Sequence, residues 1–309
     1  MIRFSVVISV FNKEKYISKT LRSVLDQTYS DFEVIILNDG STDDSEAKIL
    51  TFKDKRIRYF SENNKGAAAG RNFVIKKAAT NYIALLDADD FWEPNYLMEQ
   101  KRLIEKYPFE KIFAVNSQFL KNGKIITKRY SVNITENEDY IFNFFESSLN
   151  DSITNSSTTV LNKTVFEEIG YYDENIISGQ DTDIFIRLGL KYNVVFSPKI
   201  LCNIVVAPES LSRRTKKVSE KADFEKFSKY ESNDIFINKY LDLNRYSLSL
   251  IAILEGNKES FKKIQKNIDQ KNLTRRQRLL LLQNKSSLEI LLKTKNYLSR
   301  LGFRLSAFK

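Results

Sequence analysis

The 309-residue chain predicts a doubly wound α/β fold followed by a helical C-terminal extension, on three observations. Residues 4–87 alternate short continuous apolar runs with helical patterns, as parallel strands buried on both faces by crossover helices require. Polar and acidic clusters fall where those runs end, the position at which such sheets bind ligands. From about Lys216 the sequence is highly charged, lacks Pro and holds only Gly256 before Gly302, which suits helices.

The elements follow in order. Phe4–Val10 reads as a strand, Lys15–Asp26 as a helix, Phe32–Asn38 as a strand and Asp44–Thr51 as a helix. Ile57–Ser61 is a strand, Ala69–Ala79 a helix and Tyr82–Asp87 a strand. Val34-Ile35-Ile36-Leu37 and Ile83-Ala84-Leu85-Leu86 carry the buried-strand signal most clearly. Pro94 marks the first turn of a helix over Asn95–Tyr107. Residues 111–210 change to shorter strands, among them Phe113–Gln118, Lys124–Lys128 and Ser157–Leu161. A helix over Asp181–Leu190 then leads into Asn193–Phe196, and this second portion is expected to complete the same sheet. Residues 1–215 form one expected domain in two halves, 1–108 and 109–215. Residues 216–309 form the helical extension.

Composition removes whole mechanisms. The chain has no His, so there is no Ser-His-Asp or Cys-His nucleophile, no imidazole base and no His-ligated zinc. Acid–base chemistry falls to carboxylates, Lys or Tyr. The single Cys202 cannot form an internal disulfide. Phe4–Phe11 is too short to span a membrane and lacks the cleavage site of a secretory signal. Tyr246–Leu254, the longest charge-free apolar stretch elsewhere, is also too short. A cytosolic protein, at most resting on a membrane, is expected.

Four polar clusters invite a chemical reading, and each also has a plainer one. Asp87-Ala88-Asp89-Asp90 ends a strand; Asp87 and Asp89 fall on one side at strand period and suit a hard divalent cation, or the run is an acidic turn before a helix. Asp39, in Asn38-Asp39-Gly40-Ser41-Thr42, is placed to accept from a base imide or a ribose hydroxyl. Alternatively this loop serves to cap the next helix through Ser41 or Thr42. Arg71, in the first turn after Gly66-Ala67-Ala68-Ala69-Gly70, opposes the helix dipole and implies an anionic neighbour, either Asp87 or a phosphate. Asp181 opens an amphipathic helix whose dipole favours an ionised base, or it is an ordinary N-cap.

Taken in order, Ser9-Val10-Phe11-Asn12, Asn38-Asp39-Gly40-Ser41, Asn64-Lys65-Gly66 through Gly70-Arg71-Asn72, Asp87-Ala88-Asp89-Asp90 and Gly179-Gln180-Asp181 resemble the family 2 inverting glycosyltransferases of the GT-A fold. The resemblance covers about residues 3–215. It implies a Rossmann-like, mixed doubly wound sheet of GT-A type, a nucleotide-diphosphate sugar donor, uridine-linked by family habit, and a divalent cation, Mn²⁺ or Mg²⁺. By the same resemblance, Ser9 and Phe11 flank the nucleobase, with Phe11 stacking, and Asp39 recognises the base edge. Arg71 supports the base or nearby carboxylates, Asp87 contacts the ribose or metal shell, Asp89 ligates the metal, and Asp181 is the catalytic base. Gln180 stands where the family usually has Glu, which bears on acceptor contacts. Arg213 or Arg214 is a candidate to close over the diphosphate. The implied acceptor is a glycan or a lipid-linked sugar in bacterial cell-surface polysaccharide synthesis.

Charge is concentrated at one end. Residues 271–309 hold 10 Lys and Arg against the single acid Glu289, a net of +9, which leaves +1 for residues 1–270. Leu279–Leu282, Leu288, Leu291, Leu292 and Leu298 form a broad helical stripe among the cations, with Ile290 and Tyr297 opposite. This tail reads either as an anchor on an anionic membrane surface or as a helix packing on the body or on a second copy. A nucleic acid is a weaker partner, because no recognition module accompanies the basic residues. Two alternatives to transfer remain: a nucleotidyltransferase, for which Ser9–Lys15 lacks the expected Gly-rich loop, and a catalytically inert nucleotide-sugar-binding or membrane-associated assembly subunit, to which Gln180 points.

Overall fold

The computed structural model describes residues 2–207 and 210–300. They fall into two compact units that divide between Ser210 and Leu211.

The first unit is a mixed α/β layer structure. Its elements in chain order are β1 (Phe4–Val10), α1 (Ile17–Leu25), β2 (Phe32–Asp39), α2 (Ser45–Leu50), β3 (Ile57–Glu62), α3 (Ala67–Lys77), β4 (Tyr82–Leu85), β5 (Phe91–Trp92), α4 (Tyr96–Lys106), β6 (Ile112–Lys121), β7 (Lys124–Thr127), β8 (Tyr140–Phe142), α5 (Phe144–Ser147), β9 (Thr159–Asn162), α6 (Val165–Ile169), α7 (Gln180–Gly189) and β10 (Val194–Val205). The strands join in one sheet of order β3-β2-β1-β4-β9-β6-β10-β5, with β7 on β6 and β8 on β10. β3, β2, β1 and β4 run parallel. β9 is antiparallel to both β4 and β6, and it joins the two portions into a single sheet.

The alternation of side chains decides where the helices go. Phe4, Val6, Ile8 and Val10 of β1 pack with Ile17, Leu21 and Val24 of α1 and with Tyr96, Leu97 and Leu103 of α4. The odd positions of β1 therefore meet the opposite layer, where α3 lies. There a Cβ on Gly70 would come within 2.2 Å of the Ser9 Oγ, so the small residue is what lets α3 approach the end of β1.

Several boundaries depart from the sequence expectation for local reasons. β4 stops at Leu85, and Asp87–Asp90 is a turn closed by the Asp90 N–H donating to the Asp87 carbonyl at 3.1 Å. Strand alternation thus does not position Asp87 and Asp89; the turn does. Pro94 precedes the cap of α4, Asn95. Neither Ser41 nor Thr42 caps α2; the Asp43 carboxylate accepts from the Ser45 N–H at 3.0 Å. The strand expected over Asn193–Phe196 extends to Val205 through two register shifts around Ile200, next to Pro198, which cannot donate to the ladder.

The second unit contains α8 (Leu211–Arg214), α9 (Ile235–Glu255), α10 (Lys258–Lys266), α11 (Arg275–Leu281) and α12 (Lys285–Arg300). Tyr246 and Leu250 of α9 bury with Leu273, Leu280, Leu281 and Leu288 in a core of their own. Arg245, at the centre of α9, is almost wholly enclosed and pairs with Asp242, Glu225 and Glu231, so its charge is compensated on three sides.

Candidate active site

The loops after β1, β2 and β4 and the starts of α3 and α7 carry the polar residues singled out from the sequence. The β1–α1 loop is laced to the β2–α2 loop. Asn12, at φ 52°, accepts from the Thr42 N–H at 2.8 Å, while the Lys13 N–H donates to the Ser45 hydroxyl at 2.7 Å. Phe11 sits just past β1 and is 41% exposed, so its ring is open to a ligand. Ser9 lies against Gly70, one residue before Arg71.

Asp39 is enclosed at the end of β2. Its two oxygens accept from the backbone N–H groups of Lys65 at 2.9 Å and Gly66 at 3.1 Å, fixing the chain as it enters α3. Burial raises its pKa, and the two amides and Lys65 oppose that rise. Gly66 takes φ 91°, where a side chain would be strained.

Arg71 gathers the acids. One terminal nitrogen donates to Asp87 at 2.7 Å and to Asp181 at 3.5 Å, and the guanidinium stands over the Tyr172 ring at 5.5 Å. The sequence left a carboxylate or a phosphate as the anion facing this cation; in the structure it faces two carboxylates. Asp181 is the second residue of α7, whose cap is Gly179, so it is not the ordinary N-cap. Its other oxygen accepts from the Ser156 hydroxyl at 2.9 Å. About a third of the Asp181 side chain and 29% of the Asp87 side chain meet solvent, so both carboxylates are reachable. Burial in this setting raises the Asp181 pKa; Arg71 pulls it down and Asp87 adds to the rise. Arg71 and Ser156 are side chains that favour its charged form.

The acidic turn divides its labour. Asp87 faces Arg71. Asp89 faces Lys13, whose ammonium lies 2.5 Å from its carboxylate. Asp90 is buried and structural, accepting from the Val205 N–H at 2.8 Å and the Ser157 hydroxyl at 2.5 Å. Burial, with Asp89 and Asp87 adding, pushes Asp90 well above the ordinary carboxylate range. Among the described residues no group of three or more acidic or thiol side chains is placed to hold a metal. A hard cation completed by substrate phosphates needs only one or two carboxylates. The oxygen donors of Asp87 and Asp89 fit that chemistry, and Lys13 already places a cation against Asp89.

Arg71, Asp87 and Asp181 are thus brought together directly, Asp89 joins through the same turn, and Ser9 through Gly70. Asp39 holds the loop leading to Arg71. Gln180 is buried at the first position of α7. The Arg213 side chain and residues 301–309 lie outside the described residues. Sequence reasoning passed over Lys13, Ser156, Ser157 and Tyr172. Lys13 carried a faint signal, a cation directly after the first strand. The serines had none, because they sit in a polar run far from the acids they bind.

The family described as Glycosyl transferase family 2 matches residues 5–170. An uncharacterized glycosyltransferase of Rickettsia conorii is 30% identical over 270 residues, covering 84% of this chain and 43% of that protein. The Escherichia coli UDP-Glc:alpha-D-GlcNAc-diphosphoundecaprenol beta-1,3-glucosyltransferase WfgD is 36% identical over 125 residues, 40% of this chain and 49% of that protein. The chain spans less than half the length of either relative. The crystal structure of S. aureus TarS 1-349 in complex with UDP-GlcNAc superposes with a TM-score of 0.55 at 18% identity, covering 88% of this chain and 74% of that one, and shares the fold.

Proposed function

The chain belongs to glycosyl transferase family 2, and from that premise we propose that it moves a sugar from a nucleoside-diphosphate donor, UDP-linked, to a glycan or lipid-linked acceptor by single displacement with inversion. Bacterial cell-surface polysaccharide synthesis, at the inner face of the plasma membrane, is the setting we propose. The observation that carries this reading is the single guanidinium of Arg71 holding Asp87 and Asp181 together, two residues from Asp89. The named activity of WfgD and the nucleotide sugar bound by TarS support the choice of uridine and of a lipid-diphosphate acceptor.

In this reading Asp181 removes the proton from an acceptor hydroxyl as its oxygen bonds to the anomeric carbon. The bond to the leaving diphosphate breaks with its electron pair staying on the diphosphate. Ser156 and Arg71 orient the Asp181 carboxylate and favour its ionised form. Phe11 stacks on the nucleobase beside Ser9. Asp39, with both oxygens already accepting from amides, offers the base its remaining lone pairs. Of the two roles open to Arg71, its contacts favour support of the carboxylates. Asp89, with Asp87 in the outer shell, would hold Mn²⁺ or Mg²⁺, which when bound neutralises negative charge on the diphosphate. Residues 1–108 would then bind the nucleotide and 109–215 the acceptor.

A thermal-shift panel of nucleoside-diphosphate sugars with Mn²⁺ tests the donor assignment, since a ligand bound only by the folded state raises the melting temperature. A uridine donor is expected to raise it for the wild type and to lose that effect in Asp89→Ala. An equal shift in Asp89→Ala would remove Asp89 from the metal site.

A further inference from the structure

The second unit sorts the apolar residues of its basic helices into two sets. Leu280, Leu281 and Leu288 are buried in the local core with Tyr246, Leu250 and Leu273. The stripe that the sequence suggested as an anchor is therefore partly core, and the residues left outside belong to other faces. On α11 and its C-cap residue Leu282, Arg275, Arg278, Leu279 and Leu282 recur at i, i+3, i+4 and i+7, all exposed; Leu279 is 53% and Leu282 75% exposed. On α12, Ile290, Lys293 and Tyr297 recur at i, i+3 and i+7, and Ile290 and Tyr297 are each 64% exposed.

We propose that these outward faces of α11 and α12 form an interfacial surface for a bilayer carrying anionic lipid. Three observations favour this occupant. The exposed apolar side chains alternate with cations, so that an apolar body can enter the acyl boundary while Arg and Lys stay among the headgroups. The charge is complementary: Arg275, Arg276, Arg278, Lys285 and Lys293 are exposed on these helices against the one acid Glu289. No described helix is long and apolar enough to cross a membrane, so this surface would lie on the bilayer. A second copy would bring like charge against like charge. A nucleic acid would satisfy the Arg residues and leave Leu279, Leu282 and Ile290 in water.

The proposal does not depend on the transfer reading, because vesicle binding is measured without donor or acceptor. The full chain is sedimented with vesicles of phosphatidylcholine alone and of phosphatidylcholine with phosphatidylglycerol. The wild type is expected to pellet with the anionic vesicles, to stay in solution with the neutral ones, and to be partly released by salt. Each cation removed near an anionic surface lowers partitioning about five-fold, so R275Q/R276Q/R278Q is expected to lose roughly a hundred-fold. L279S/L282S/I290S is expected to lose at least about ten-fold. The wild-type comparison of the two vesicles stands even if a variant melts early. Equal partitioning to both vesicles, or to neither, overturns the proposal, as does unchanged binding in the apolar variant. Self-association lost in that variant without vesicle binding assigns the surface to a second copy and overturns it equally. Salt-sensitive retention of an RNA oligonucleotide, unaffected by the apolar variant and without vesicle binding, assigns the surface to a nucleic acid and likewise overturns the proposal.

Discussion

Arg71 is the residue on which the electrostatics of the site turn. It offsets two acids that would otherwise repel each other. Arg71→Met is expected to cost about 2 kcal/mol in urea denaturation, less than for a fully enclosed pair because Asp87 and Asp181 are partly open to solvent. Asp87→Asn in the same background is expected to recover part of the loss, since it removes one of the acids left uncompensated. An unchanged denaturation midpoint in Arg71→Met would contradict the placement. At this scale the sequence was legible where chemistry follows from residue type: an Arg near the start of a helix needs an anion, and one was there, although α3 begins two residues earlier than expected and Arg71 is its fifth residue, past the first turn. It was not legible where a partner comes from a distant loop, as Ser156 comes to Asp181. Nor did it reveal that Asp90 is buried as a fastening between the acidic turn and β10 while its neighbour Asp89 faces Lys13.

Elements show how packing fixes the site. The approach of α3 to β1 depends on Gly70, and Gly70→Ala forces its new methyl onto Ser9. The variant is expected to lose about 1–3 kcal/mol, as overpacked interiors do. Ser9→Ala added to it is expected to restore most of the loss, because the Oγ is the atom in the way. Additive effects in that double-mutant cycle would show that the two residues do not touch. A second element-level device is the ion network that ties α4 to the segment before β8 and to β10. Arg102 pairs with Glu99 and Asp139, and Lys199 reaches Glu99. Burial raises the Glu99 carboxyl, but Arg102, Lys199 and Ser197 outweigh it and hold its pKa at about 2. Hydrogen bonds from Arg102 hold Asp139 at about 2. Both values lie below those of unfolded Asp and Glu, about 3.9 and 4.3. The stabilisation is therefore complete above the unfolded values and is lost as pH falls toward the folded ones. The melting temperature is expected to drop between about pH 4.3 and pH 2, and Arg102→Gln is expected to flatten that dependence while lowering stability at neutral pH. An identical acid profile in Arg102→Gln would count against the network.

For the molecule as a whole, the parallel half was the most legible part. Strands buried on both faces are written as continuous apolar runs, and crossover helices follow at helical period. The antiparallel joining strand β9 was anticipated two residues early, because a single helical turn over Ser156–Thr158 precedes it. β5 and β8 were missed altogether, being two- and three-residue pairings that depend on β10 and not on local pattern. Charge asymmetry between residues 1–270 and the tail was visible from counting alone. Which of the tail's Leu residues serve the core needed coordinates, since the helical stripe is broad and both sides carry apolar residues. The same limit applies to function. The order of five motifs brought the family into view, but only folding brings Asp87 and Asp181 onto one guanidinium.

The central claim is that Asp181 is the proton acceptor, and it is tested most directly by the rate of nucleoside-diphosphate release from Asp181→Asn at saturating donor, with a lipid-diphosphate acceptor and Mn²⁺. The amide keeps the size of the side chain and cannot take the proton. A fall of about 10²–10⁴-fold is expected, with the melting temperature preserved. Turnover at the wild-type rate in the folded variant would contradict it.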